Sequence, residues 1–393
     1  MSIKQAVEAI IRPPRSTYDL AKLPKVLETD DEEDGGGLFV RTPFEIELPR
    51  KLKMRGSIYH TGLMSIKNPG PCLVYMHGNA SSQLEGQFLV PNVCSHNIFV
   101  VCYDSIGCGM SDGEYVTLGY HEKGDAEFLL KFLHENYHFG PFVLWGRSMG
   151  AATALIIDDP NVKGIISDSA FTSIRNMVKA IAKQHHVGTM FMKPTLWMLK
   201  GKVEEKAHFD FNTVSPLEIV PKKTVPVFFA QATDDKLIPF DHCEQLFKAY
   251  GGSNKKMVKL TGGHNGRRPL EFVRDGVKFT LEQFGMPTKG LIISPCRNLQ
   301  KSDFHFESFD QMISNTGTTF DASNLQKEVA EEEDHDESSF HPEEEDEGGN
   351  GEEEYFEEEQ FFEEVAVEEG EEEGNEEENQ GEKAEEEKNE KKQ

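Results

Sequence analysis

The chain has 393 residues, with 69 Asp and Glu against 41 Lys and Arg, for a formal charge of −28. Residues 331–393 hold 32 of the acids and four of the bases, so the first 330 residues are balanced at 37 against 37. A balanced globular part lacks the basic surface that nucleic-acid binding needs, and no apolar run reaches the roughly 18 residues of a membrane span.

The N-terminus has no signal-peptide core. The six cysteines (Cys72, Cys94, Cys102, Cys108, Cys243, Cys296) form no CxxC pair. Reduced, buried thiols and a cytoplasmic location are the expectation.

The first predicted element is a helix over residues 3–11, IKQAVEAII, with Ile3, Ala6, Val7, Ile10 and Ile11 on one face. Pro13 and Pro14 stop it. Such a face can lie on a membrane surface, but packing on its own domain is the more frequent outcome. The run from Asp30 to Gly37, DDEEDGGG, reads as a solvated loop, with no metal site expected. Residues 1–40 are therefore a helix and loop ahead of the main domain.

From residue 41 the pattern changes. Phe44–Leu48 and Leu52–Tyr59 predict paired strands. Short apolar runs then alternate with helix-length stretches: Cys72–Met76, Ile98–Tyr103, Phe142–Trp145, Gly164–Ser167, Val227–Ala230 and Met257–Leu260. This alternation predicts an α/β fold with a mostly parallel sheet covered by helices on both faces. Residues 122–137 and 267–284 read as helices, and 171–207 as a small helical cap. The domain closes near residue 286. Residues 287–330 read as a linker, and 331–393 as a Glu-rich tail too polar to offset the entropy of ordering.

The sharpest motif is Gly146-Arg147-Ser148-Met149-Gly150, between the apolar run FVLW and the helix start AATAL. A strand–turn–helix with glycines two residues either side of a serine is the setting of a nucleophile elbow. His77-Gly78-Asn79-Ala80 follows the run CLVYM, and such a loop can turn a backbone N–H toward an oxyanion. The two donors are assigned to the backbones of Asn79 and Met149, with His77 holding the loop. Asp234 and Asp235 follow VFFAQAT; Asp235 is preferred as the acid, with Asp234 and Asp168 as the other candidates. His264, in Thr261-Gly262-Gly263-His264-Asn265, is the expected base. His185, His186 and His242 are expected on the surface or cap. The order Ser148, Asp235, His264 is the one expected when a serine elbow sits in an α/β sheet.

Tyr103-Asp104-Ser105-Ile106-Gly107-Cys108-Gly109-Met110-Ser111-Asp112-Gly113 resembles the D-x-x-G-x-G-x-S stretch after the fourth strand of many α/β hydrolases, which implies a glycine-rich loop shaping the floor of the site. Cys108 within it has no base placed for it. Together, HGNA, YDSIGCGMSDG, GRSMG, TDDKLIP and GGHN resemble the α/β-hydrolase superfamily. More narrowly they resemble the serine-aminopeptidase-like group that includes membrane-associated protein depalmitoylases. The resemblance spans roughly residues 40–285. It implies an α/β-hydrolase fold and a Ser148–Asp235–His264 triad working without metal or cofactor. Those depalmitoylases carry a lipidated N-terminal cysteine cluster; here the first cysteine is Cys72.

The expected activity is cleavage of an ester or thioester, in a small molecule or an acylated protein. Met177, Met190, Phe191, Met192, Leu196 and Trp197 in the cap suit an acyl chain or form the cap's own core. The rival reading is an idle hydrolase fold acting through its tail, where Tyr355, Phe356, Phe361 and Phe362 sit among glutamates and a basic protein could dock. A chain ending at Ala330 should keep the melting temperature and ester turnover of the full chain, because a charged tail of this composition adds no core. A substantial drop in either on truncation would show that the tail is part of the working domain.

Overall fold

The computed structural model describes residues 3–28, 37–184 and 186–293. Cys296, His185, nearly all of the 30–37 loop, the linker beyond residue 293, and the Glu-rich tail with its four aromatics lie outside the described residues.

The frame is a nine-stranded sheet: β1 (Val26–Glu28), β2 (Leu38–Glu47), β3 (Lys53–Thr61), β4 (Gly70–Met76), β5 (Phe99–Asp104), β6 (Phe139–Arg147), β7 (Val162–Asp168), β8 (Val227–Ala232) and β9 (Lys255–Leu260). Its spatial order is β1-β2-β3-β5-β4-β6-β7-β8-β9. From β5 to β9 all neighbours are parallel, while β1, β2 and β3 join antiparallel at one edge.

Burial explains the division. Every residue of β5 and β8 is buried, as strands covered on both faces must be. β2 alternates between buried and open positions, as a strand with one wet face does. β2 begins six residues before the predicted run because it pairs with both β1 and the end of β3. β1 had no signal of its own, being three residues long.

Successive residues of the central strands feed opposite cores. Phe99, Val101 and Tyr103 join one, and Val100 and Cys102 the other. The first core takes α3 (Tyr120–Tyr137), α4 (Met149–Ile156) and α8 (Phe240–Ala249), and the second takes α2 (Val90–Cys94) and α9 (Leu270–Gln283). The cap is two helices, α5 (Ile174–Gln184) and α6 (Thr189–Ala207), followed by the short α7 (Pro216–Ile219). Met177 and Leu196 are cap core, Phe191 and Met192 are half-buried, and Met190 and Trp197 face solvent at 77% and 60% exposure. These last two belong neither to a cap core nor to a closed acyl channel. Among the described residues no helix is long and apolar enough to cross a membrane.

The N-terminal helix α1 (Ile3–Ile11) buries the five residues of its apolar face. It packs on α6, and Glu8 pairs with Lys206. Its terminal carbonyls are claimed by other parts of the chain: Val116 N–H donates to Ile11 O at 2.8 Å, and Asn79 Nδ2 to Ile10 O at 3.3 Å. That face is therefore spent inside the protein rather than on a membrane. Ile11→Ala should cost about 2–5 kcal/mol in equilibrium urea unfolding. A change below about 0.5 kcal/mol, the range of an exposed site, would contradict this packing.

Candidate active site

Every candidate residue stands at the C-terminal end of a parallel strand, where loops from neighbouring strands converge. β6 runs into Ser148, and α4 begins at the next residue. Ser148 has φ 51° and ψ −115°, a backbone state that non-glycine residues rarely hold. The flanking glycines make the turn feasible. A Cβ on Gly146 would lie 2.3 Å from Gly150 O, and one on Gly150 only 2.0 Å from Met76 O.

His264 comes from the loop after β9. Its Nε2 lies 2.9 Å from Ser148 Oγ and its Nδ1 2.7 Å from Asp235 Oδ2. The carboxylate can only accept, so Nδ1 carries the hydrogen and Nε2 is left bare toward the serine hydroxyl. The Asp235 side chain is fully buried and that of His264 is 10% exposed. The other acceptor sites of Asp235 are occupied. Leu237 and Ile238 N–H donate to Oδ1 at 3.0 and 2.8 Å, and Gln231 Nε2 donates to Oδ2 at 2.8 Å. Asp234, one residue earlier, is exposed.

The loop after β4 lies against the elbow. A Cβ on Gly78 would be 3.6 Å from Ser148 Cβ. His77 is buried and accepts Ser105 N–H at Nε2 (2.9 Å), so its Nδ1 donates to Gly78 O (2.7 Å). It braces the loop, as the sequence suggested. Gly78 N–H is already given to Glu85 Oε2 at 3.0 Å. The next N–H along the loop is that of Asn79. The Met149 N–H opens α4, where no earlier turn exists to accept it.

Three expectations need correction or completion. Asp168 does not reach His264: both its oxygens take Arg268, at 2.8 and 2.9 Å, and Oδ1 also accepts Ser169 Oγ at 3.0 Å. His242 is not on the surface. It is buried in α8, where its Nδ1 accepts Thr172 N–H at 3.0 Å and burial pushes its pKa down. His186 is exposed as expected. Burial pushes the Cys108 thiol well up, away from the thiolate a nucleophile needs.

Gln231, which holds Asp235 Oδ2, lies in none of the sequence motifs. It was legible as a polar residue within the apolar run of β8, where it is fully buried. Asp104, in the glycine-rich loop, accepts Gln83 N–H at 2.6 Å and Met110 N–H at 2.8 Å and so shapes the floor. Among the described residues no group of three or more His, Cys, Asp or Glu is arranged to hold a metal.

Comparison with known proteins agrees with this architecture. The family model of the serine aminopeptidases, S33, matches residues 67–216. YqkD of Bacillus subtilis is 25% identical over 171 residues, 42% of this chain and 55% of that protein. The Saccharomyces cerevisiae membrane protein YNL320W is 26% identical over 205 residues, 48% of this chain and 66% of that one. The match thus spans between about half and two thirds of the length of these two relatives. The Pyrococcus furiosus esterase Pf2001 superposes with a TM-score of 0.51 over 70% of this chain and 97% of its own, at 16% identity, a likeness of fold.

Burial would raise the Asp168 pKa, but the guanidiniums of Arg268 and Arg147 outweigh it and hold the carboxyl below its ordinary range. A depressed folded-state pKa gives stability that is complete above the unfolded value of about 3.9 and fades as pH falls further. Stability measured from pH 7 downward should therefore keep this contribution to about pH 4. Arg268→Met strands the buried carboxylate and should cost about 3–5 kcal/mol at pH 7. A loss under about 1 kcal/mol would mean that the pair is solvated.

Proposed function

We propose that this chain, which has the α/β-hydrolase fold, is a serine hydrolase cleaving an ester or thioester through an acyl-enzyme. The reading rests on one observation above all: the unbroken hydrogen-bond relay Ser148 Oγ–His264–Asp235 Oδ2, at 2.9 and 2.7 Å.

His264 Nε2 takes the Ser148 proton as Oγ attacks the carbonyl carbon. Asp235 holds the ring in the tautomer that leaves Nε2 free and stabilises the imidazolium that forms. The N–H groups of Asn79 and Met149 stabilise the oxyanion, helped by the positive end of α4. As the carbonyl re-forms, His264 returns the proton to the leaving alkoxide or thiolate. Water, deprotonated by the same Nε2, then attacks the acyl-serine, and the proton passes back to Oγ. All of these steps use side chains and backbone of this chain. The proposed substrate class takes in an acylated protein as well as a small ester.

Fluorophosphonate labelling, followed by a panel of p-nitrophenyl esters and acyl thioesters, tests the reading. Ser148→Ala should abolish labelling and lower kcat on the order of 10³–10⁶ while leaving the fold intact. Asp235→Asn should lower kcat far more than Asp234→Asn. Retention of a tenth of turnover in Ser148→Ala would remove the serine from its role, and the reverse order at the aspartates would move the acid by one residue.

A further inference from the structure

The His264 loop has little of its own to hold it. Residues 261–269 contain no helix or strand. Gly262, Gly263 and Gly266 surround the histidine, and Gly262 sits at φ +97°. A Cβ on Gly262 would meet nothing within 4 Å, and one on Gly263 only Asp234 O at 3.8 Å. At Gly262 and Gly263 neither side-chain packing nor backbone stiffness fixes the segment; within it Gly266 N–H donates to Gly263 O at 3.1 Å. Yet the imidazole must be held to a fraction of an ångström over Ser148.

Two buried guanidiniums converge on the loop's backbone. Arg147, inside the elbow itself, donates through one nitrogen to His264 O (2.8 Å) and Gly266 O (3.1 Å). Arg268 donates to Gly263 O (3.1 Å), Gly266 O (3.3 Å) and His264 O (3.2 Å). Each guanidinium is anchored from behind by a buried carboxylate. Arg147 faces Glu85 at 3.4 Å, with side chains 11% and 4% exposed; Arg268 faces Asp168 at 2.8 Å, with 6% and 3%. The anchors belong to the other two catalytic segments. Glu85 also accepts Gly78 N–H from the loop that precedes Asn79, and the Asp168 carbonyl accepts Ser148 N–H at 2.8 Å.

We propose that Arg147 and Arg268 are positioning residues, forming a two-arginine clamp on the carbonyls of His264 and Gly266 that sets the imidazole against Ser148. Glu85 and Asp168 fix the clamp to the oxyanion loop and the elbow. The planar fork of arginine suits the task because one side chain can reach several carbonyls and a carboxylate together, which a lysine point charge cannot do. The inference rests on the serine-hydrolase reading for its kinetic consequence, but not for its structural one.

The test uses the full chain and paired substitutions that avoid stranding a buried charge: Arg147→Gln with Glu85→Gln, and Arg268→Gln with Asp168→Asn. Hydrogen–deuterium exchange should rise in residues 261–267 while β4, β6 and β8 stay protected. On a soluble p-nitrophenyl ester kcat should fall about ten- to a hundredfold, the scale expected of a misplaced catalytic group, with KM within twofold. In Arg147→Ala and Arg268→Ala, millimolar guanidinium should restore part of kcat, and Arg→Lys variants should remain impaired. Unchanged exchange in 261–267 overturns the clamp, as does a kcat within twofold of wild type in a folded variant. In the paired variants, which strand no charge, a parallel loss of kcat and global stability also overturns it, since that is a purely structural role. If the wild-type protein neither labels with fluorophosphonate nor turns over any ester, the proposed function fails instead, and the exchange pattern alone decides the clamp.

Discussion

Where β6 meets α4 there is no room for a methyl group on Gly146 or Gly150, two residues either side of Ser148. Strand, turn and helix meet so closely that Gly146 abuts the carbonyl of Gly150, and Gly150 that of Met76. This contact forces Ser148 into its unusual backbone state and lifts its side chain clear of the sheet. It also sets what the neighbours must do. β4 ends against the same turn, so its loop necessarily faces the serine, and the first N–H groups of α4 open toward the same space. The cost of the strained residue is met by the parallel strands around it, whose residues are almost all buried.

The charged groups of the site lie at the rim of that apolar frame rather than within it. A buried ion pair contributes little net stability when compared with apolar side chains of the same shape, and much is lost when one partner is removed. Asp168, which ends β7, pairs with Arg268, and Arg147, which ends β6, pairs with Glu85. Asp235 is the exception in having no guanidinium: two backbone N–H groups, Gln231 and His264 satisfy it.

The N-terminal segment shows how the same chemistry serves packing. α1 is short, and an isolated helix of nine residues would be unstable in water. It persists because its apolar face fills a gap beside α6 and because the side chain of Asn79 and the backbone of Val116 satisfy its last carbonyls. The loop after β4 thus has one wall supplied by residues far away in sequence. Arg15 extends this wall toward the glycine-rich loop by donating to Ser111 O at 3.0 Å.

What the sequence determined alone is local. Apolar runs such as FVVCYD and VFFAQA are buried on both faces whatever their partners, so the parallel sheet was legible in them. The elbow was legible because its glycines and serine are constrained by neighbours within four residues. His264 was legible because it follows the last strand in a glycine-rich loop. The tertiary structure decided everything that depends on direction or on distant partners. Asp234 and Asp235 are adjacent and chemically equal, and only the turn after β8 makes one exposed and the other buried against the imidazole. Asp168 looked like a candidate acid, but an arginine one hundred residues away claims both its oxygens. The amphipathic face of α1 suited a membrane or a protein surface equally until α6 covered it. Periodicity states that a face is apolar; only the assembled fold states what that face meets.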